Sequence, residues 1–76
     1  MNKIEIIKLW ALGFGIPLEA FKEERWTFEF EANDPHGCLQ FLKSYCAGCQ
    51  GDGYKNLQNP LNQLEFISLM QMEYPN

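Results

Sequence analysis

RWTFEFEANDPHG, residues 25–37, is the stretch that decides the fold, because it holds the clearest periodicity and the clearest element boundary in the chain. Aromatic and polar residues alternate in its first part: Trp26, Phe28 and Phe30 are separated by Thr27, Glu29 and Glu31. Alternation with a period of two is typical of a half-buried β-strand. We therefore expect a strand over residues 26–31, paired in a short antiparallel sheet because a lone strand leaves its backbone groups unbonded.

The second part of the stretch marks the start of a helix. Asp34 can cap a helix N-terminus, and Pro35 suits the first helical position. The residues that follow place one apolar stripe at helical spacing: Cys38, Leu42, Tyr45, Cys46 and Cys49. A helix near residues 35–48 is predicted. Together with the strand, it predicts a small single α+β domain over residues 1–76, with a short antiparallel sheet packed against one or two helices.

Two further segments fit both a helix and a strand. They are residues 3–12 (KIEIIKLWAL) and residues 63–73 (QLEFISLMQME), and a short apolar run is not decided by its period alone. Because residues 26–31 need a partner strand, we favour a strand for part of 63–73 and leave 3–12 open. Residues 51–59, rich in glycine, asparagine and glutamine, are predicted as a loop.

The helical alternatives for these segments make specific predictions about side-chain placement. In the first segment, a helix ending at Gly13 would turn Ile4, Ile7 and Ala11 inward. In the second, a helix beginning at Asn59 and Pro60 would align one set of side chains on one side: Leu61, Leu64, Ile67 or Ser68, and Met72.

Length and charge exclude several classes of partner. The chain has 76 residues with ten acidic against six basic side chains, a formal net charge of −4. The basic residues are scattered, whereas binding to a nucleic-acid backbone needs clustered lysine and arginine. No run approaches the roughly 20 apolar residues that cross a membrane. We expect neither a membrane partner nor direct nucleic-acid binding.

The expected location is the cytoplasm. The first residues, MNKIEIIKLW, carry a glutamate inside their apolar run, so we expect no signal peptide. The three cysteines are an odd number, which favours free thiols in a reducing compartment.

The candidate binding surface is acidic. Glu29 and Glu31 share the polar face of the predicted strand, and Glu23 and Glu24 precede it. These four carboxylates are predicted to bind another protein through a basic surface. A single histidine, His36, and the lack of a nucleophile motif predict that the protein is not an enzyme. The functional hypothesis is a small acidic intracellular protein-binding module, of the type found among phage-encoded inhibitors of host or defence machinery.

The alternative hypothesis rests on a cysteine motif. In CAGCQGDG, residues 46–53, Cys46, Cys49, Gly51 and Gly53 occupy every fixed position of C-x-x-C-x-G-x-G, and the segment resembles one repeat of the DnaJ-type zinc fingers. In that family two such repeats together hold each zinc, and this chain has one. The resemblance therefore implies a zinc-stabilised homodimer or metal-binding module in which each copy supplies Cys46 and Cys49.

A zinc site within a single chain conflicts with the predicted helix. Its ligands would be His36, Cys38, Cys46 and Cys49. A continuous helix places Cys38 and Cys46 about 12 Å apart along its axis. Two thiolates on one tetrahedral zinc lie within about 4 Å of each other. Without a second copy we expect no cofactor, and Cys38 and Cys46 are predicted to be small buried apolar side chains.

Overall fold

The structure, a computed structural model, describes residues 2–49 and 51–74. They form five α-helices and one short 3₁₀ helix: α1 (Lys3–Gly13), the 3₁₀ helix (Leu18–Lys22), α2 (Glu24–Glu31), α3 (Pro35–Ala47), α4 (Asp52–Gln58) and α5 (Pro60–Gln71). These residues contain no β-strand. The predicted α+β class with an antiparallel sheet is therefore wrong, and the described chain is an all-helical domain.

The segment predicted as a strand forms α2. A helix turns by about 100° per residue, so Trp26 and Phe30 lie on one side and Phe28 on the other. Trp26 is 1% exposed and Phe28 is 68% exposed. An alternating sequence is compatible with this helix because only two of its three aromatic rings have to face the core. The packing partners of α2 are other helices, so no partner strand is needed.

A three-residue turn, Ala32, Asn33 and Asp34, joins α2 to α3. Asn33 adopts the left-handed conformation, with φ 55°, which asparagine tolerates better than most residues. Its N–H donates to the Phe30 carbonyl at 2.9 Å, and the Asp34 N–H donates to the Glu29 carbonyl at 3.0 Å, which is the Schellman pattern. The Asp34 side chain then accepts from the Gly37 N–H at 2.9 Å and caps α3. The predicted helix start at this point is confirmed.

The two ambiguous segments are both helical. Asn2 caps α1 by accepting from the Glu5 N–H at 3.0 Å, and Asn59 caps α5 by accepting from the Leu61 N–H at 2.9 Å. The helical alternative for residues 3–12 is thus confirmed, and the preference for a strand within residues 63–73 is wrong. The predicted loop at 51–59 is also wrong, since α4 occupies most of it.

The core is built from one buried face of each helix, with aromatic rings at its centre. The Trp26 ring contacts Phe21 edge-on at a centroid distance of 4.7 Å, and Phe30 and Phe66 at 5.6 and 6.4 Å. Other buried side chains surround these rings: Ile7, Ala11, Ile16, Ala20, Cys38, Leu39, Leu42, Cys46, Leu57 and Met70. At the edge of the core, Trp10 Nε1 donates to Glu65 Oε1 at 2.9 Å and ties α1 to α5.

Two glycines bring the end of the α1 connection against the start of α4. Gly15 has φ +79°, and a Cβ added to Gly53 would lie 2.7 Å from the Gly15 carbonyl oxygen. The two backbones therefore meet without a side chain between them. Close by, Asn56 Nδ2 donates to the Phe14 carbonyl at 2.8 Å. These contacts hold the start of α4 against the connection that follows α1.

The helices of residues 2–49 and 51–74 are all too short or too polar to cross a membrane.

Candidate functional site

The four predicted partner-binding glutamates do not share one face, because the strand that would align them does not exist. Glu24 and Glu31 are seven residues apart, which puts them on the same side of α2. Both are exposed. Glu23 precedes α2 as its N-terminal flanking residue, and Glu29 lies on a different side of the helix. Their assignment as partner-binding residues stays a prediction, and Glu24 and Glu31 are the pair that the fold brings together.

Glu29 is turned towards its own chain. Its carboxylate oxygen Oε2 lies 2.5 Å from the point that a Cβ on Gly37 would occupy, and Asp34 Oδ2 lies 2.6 Å from the same point. Both carboxylates thus lie at the N-terminal turn of α3, where the helix dipole favours negative charge. Burial, and then the charges of Glu29 and Asp34, raise the pKa of the Cys38 thiol to about 12. Glu29 therefore contributes to the α2–α3 junction rather than to an outward surface.

The charge of Glu23 acts on the C-terminal part of α3. The pKa of the half-buried Tyr45 phenol is raised first by burial and then by the charges of Cys49 and Glu23. Glu23 precedes α2 and is exposed, and it is not part of the line that joins Glu24 and Glu31 along the helix.

The outward side of α2 combines charge with an aromatic ring. We define the α2 outer face as Glu24, Thr27, Phe28 and Glu31, all of which are exposed. Phe28 projects 68% of its surface into solvent between the two glutamates. The strand interpretation missed Phe28 because it placed all three aromatic residues in the core. The signal that could have revealed it is the i, i+4 spacing of Trp26 and Phe30, which a helix buries without Phe28.

The cysteine pair lies at the C-terminal end of α3, with one thiol inside and one outside. Cys46 is 1% exposed and Cys49 is exposed. The Cys49 N–H donates to the Cys46 carbonyl at 3.0 Å, and its Sγ donates to the Tyr45 carbonyl at 3.4 Å. Burial, followed by the proximity of Cys49, raises the pKa of Cys46. Because zinc binds the thiolate, a bridge between two copies would require Cys46 to leave the core.

No group of three or more histidine, cysteine, aspartate or glutamate side chains is arranged to hold a metal ion within residues 2–49 and 51–74. The zinc-stabilised dimer through Cys46 and Cys49 stays a prediction. The expectation that Cys38 and Cys46 are buried apolar side chains is confirmed, since Cys38 is fully buried as well.

The structure explains why glycine occupies positions 51 and 53 of the cysteine motif. Gly51 has φ +140°, a conformation that other residues rarely adopt. Gly53 is required by its contact with the Gly15 backbone. The segment that matches C-x-x-C-x-G-x-G thus spans the end of α3 and the start of α4. Two of its four fixed residues, Gly51 and Gly53, are explained by backbone conformation and backbone packing.

Thiol reactivity is expected to separate the three cysteines. In the native protein, Cys49 should react with a thiol reagent such as DTNB about tenfold or more faster than Cys38 and Cys46, because the latter two are buried and have raised pKa values. Stopped-flow absorbance should show one fast thiol per chain, and Cys49→Ser should remove that phase. Two fast thiols would contradict the placement of Cys46. Protection of the fast thiol by added zinc, with a doubling of mass, would support the zinc-bridged dimer.

A second surface feature lies on α5. We define the α5 apolar stripe as Leu61, Leu64, Ser68 and Met72. The three large side chains are 74%, 64% and 53% exposed, respectively. The helical alternative correctly groups these residues on one side, but that side faces outward, and Phe66 and Met70 point into the core.

Comparison with protein-family models, with curated proteins and with solved structures finds no match to this chain. The two candidate surfaces of the described residues are the α2 outer face and the α5 apolar stripe.

Proposed function

We propose that the protein acts by binding another protein through the α2 outer face. The observation that carries this proposal is Phe28, which leaves 68% of its surface in water at the middle of a helix and is flanked by the exposed Glu24 and Glu31. The rest of that helix uses its aromatic residues in the core, so the exposed ring adds nothing evident to the packing of the domain.

An exposed phenylalanine between carboxylates suits an interface with a central anchor and a charged rim. Moving an apolar side chain of this size from water into a pocket contributes about 1.5–3 kcal/mol. Aromatic residues are enriched in interface cores, where surrounding polar contacts exclude water. Glu24 and Glu31 would supply that rim and select a complementary charge. The partner we propose has an apolar pocket for the phenyl ring, bordered by lysine or arginine.

Charge is expected to select a basic partner and to raise the rate of association. The segment EERWTFEFE, residues 23–31, carries four glutamates and one arginine, in a chain of net charge −4. Such an excess attracts a basic surface and raises the association rate, an effect that salt weakens. A base-stacking role for Phe28 is disfavoured because platforms for single-stranded nucleic acid combine aromatic rings with positive charge. We also predict that binding inhibits the partner, in the way that phage-type inhibitors inhibit theirs. The cytoplasm as the place of binding likewise stays a prediction.

Affinity capture with matched variants tests this proposal. The tagged protein, Phe28→Ser and the double variant Glu24→Lys/Glu31→Lys are each used to capture proteins from an extract of the cells that make the chain. A partner of the α2 outer face should be lost with Phe28→Ser. With the double variant, the dissociation constant measured on the purified partner should rise about tenfold or more.

The control is Glu19→Lys/Glu73→Lys, which changes the net charge by the same amount through exposed residues outside α2. It should retain the partner. The proposal is wrong if every captured protein binds both α2 variants as it binds the original chain. Loss of binding in the control as well would mean that net charge, not the α2 outer face, governs the interaction.

A further inference from the structure

We infer that the C-terminal end of α3 is an oxidation site, at which a hydroperoxide converts Cys46 and Cys49 into an intrachain disulfide. The site is separate from the α2 outer face, so it does not depend on the proposed partner binding. Three features carry the inference: the turn that joins the two cysteines, the cavity that they share and the difference in their exposure.

The backbone between the two cysteines forms a tight turn. The Cys49 N–H donates to the Cys46 carbonyl at 3.0 Å, and Gly48 between them has φ −92° and ψ 0°. These are the hydrogen bond and the third-residue angles of a type I turn, whose first and fourth Cα atoms lie within about 7 Å of each other. A disulfide joins Cα atoms that are about 4.4–6.8 Å apart. The turn therefore brings the two cysteines close enough for a disulfide while α3 keeps its backbone.

The two side chains lie on the same side of this turn. The Gly48 N–H donates to the Tyr45 carbonyl at 3.2 Å, so two successive hydrogen bonds at the end of α3 span three residues. This is the 3₁₀ pattern, in which side chains three residues apart lie directly above one another. Cys46 and Cys49 also line one small cavity, of about 10 Å³, beside Gly51. The cavity gives the Cys46 Sγ a space in which to turn towards Cys49.

Exposure gives each thiol its role in the oxidation. Cys49 is exposed and Cys46 is 1% exposed, so an oxidant from solvent meets Cys49 first. The Cys49 sulfur attacks one peroxide oxygen, the O–O bond breaks, and the Cys49 sulfenic acid forms while the other oxygen leaves as an alcohol or water. Cys46 then attacks the sulfenic sulfur, the S–O bond breaks, and the Cys46 proton departs with the hydroxyl as water. The two sulfurs lose two electrons, and the hydroperoxide gains them.

The third cysteine is excluded from this reaction by its position. Cys38 is fully buried, and eight residues of helix put it about 12 Å from Cys46 along the axis. That distance is well beyond the Cα separation of a disulfide. The oxidation is therefore specific for one pair of the three thiols. Because zinc binds thiolates, the oxidised chain would also be unable to form the zinc-bridged dimer.

Peptide mapping tests the disulfide in the original chain. The reduced native protein is treated with hydrogen peroxide and then alkylated in denaturant. Trypsin releases residues 44–55 as one peptide that holds Cys46 and Cys49, and Cys38 falls in another. The first peptide should be recovered unalkylated and lighter than its reduced form by two hydrogen atoms, with Cys38 alkylated. A peptide that keeps both thiols, that carries oxygen on Cys49 beside an alkylated Cys46, or that is linked to a second copy would overturn the inference.

Two matched variants test the role of Cys46, since each removes a buried thiol from α3. Cys38→Ala should form the disulfide as the original chain does. Cys46→Ala should stop at the Cys49 sulfenic acid, so its labelling by dimedone should be about tenfold or more higher than in Cys38→Ala. Equal labelling of the two variants would contradict resolution by Cys46. Thermal melts establish that each variant is folded, and the peptide map of the original chain depends on neither.

The same resolving step should follow the fast reaction of Cys49 with DTNB. Cys46 should displace thionitrobenzoate from the mixed disulfide in a slower phase, whose rate is independent of the DTNB concentration. Cys46→Ala should lack this phase, and Cys38→Ala should keep it. Absence of the phase from the original chain, or a rate that rises in proportion to DTNB, would contradict resolution within the chain.

Urea unfolding shows whether the fold accommodates the disulfide. The oxidised chain should unfold at the same urea concentration as the reduced chain or at a higher one, because the native turn has the required separation and the bond restricts the unfolded chain. A lower midpoint for the oxidised chain would mean that the fold opposes the bond, and would overturn the inference. Phe28→Ser should form the disulfide as the original chain does, so the disulfide and the proposed function are tested independently.

Discussion

Trp26→Ala is expected to lower the free energy of unfolding by about 3–5 kcal/mol, whereas Phe28→Ala, two residues along the same helix, should change it by less than about 0.5 kcal/mol. Trp26 is 1% exposed and its ring contacts Phe21, Phe30 and Phe66. Phe28 is 68% exposed and lies outside this cluster. The contrast follows from the helix alone, since α2 turns the two side chains to opposite sides.

The loss of stability at Trp26 is large relative to the total because the domain is small. Truncating a buried aromatic residue to alanine costs about 3–5 kcal/mol, through lost transfer free energy and the cavity left behind. A chain of 76 residues is expected to have a total stability of about 4–11 kcal/mol. The substitution removes a large part of that total, and at the lower end of the range it removes most of it.

Urea unfolding followed by circular dichroism measures both variants against the original chain. The comparison also discriminates between the two interpretations of residues 26–31. In a strand, Trp26 and Phe28 would share the buried face, and both alanine variants would be strongly destabilised. Equal and large losses would therefore contradict the helix, while a large loss for Trp26 alone supports it.

Gly53→Ala is expected to destabilise the fold by about 1–3 kcal/mol or more, whereas Gly13→Ala should be neutral or stabilising by up to about 1 kcal/mol. A Cβ on Gly53 would lie 2.7 Å from the Gly15 carbonyl oxygen and 3.2 Å from its carbonyl carbon. These are backbone atoms, so relief requires α4 or the connection after α1 to move. A Cβ on Gly13, the last residue of α1, meets nothing within 4 Å.

Thermal unfolding of the two alanine variants, monitored by circular dichroism, measures this difference. Gly13→Ala is the matched control because it makes the same chemical change at a glycine that is open to solvent. A Gly53→Ala variant as stable as the original chain would mean that the backbone contact between Gly15 and Gly53 is looser than the structure has it.

The parts of the fold that the sequence predicts are those signalled by local chemistry. Asp34 and Pro35 mark the start of α3, and the apolar spacing beyond them marks its length, because capping and helical periodicity act within a few residues. The strand prediction failed because α2 has only eight residues. Two turns of a helix with aromatic residues at every second position fit both periods, and tertiary packing decides between them.

The contact between Gly15 and Gly53 lies beyond what the sequence alone can predict. Neither residue carries a local signal for the other, because their meeting depends on how α1, α3 and α4 pack. The candidate binding surface could be predicted only in part, because its charge is a local feature of the sequence and its exposure depends on the fold. The acidic character of the segment around Glu24 and Glu31 is visible in the sequence, but the exposure of Phe28 follows only once the helix is known.

Asp34 has a consequence for recognition, because one residue completes the last turn of α2 and caps the first turn of α3. The two helices share a hydrogen-bonded corner, so Phe28 lies on a helix whose C-terminal end is held by its own chain. A surface that is preorganised in this way loses little conformational entropy on association. For the binding proposed through Phe28, we therefore expect a small contact area to give more affinity than it would in a segment that folds as it binds.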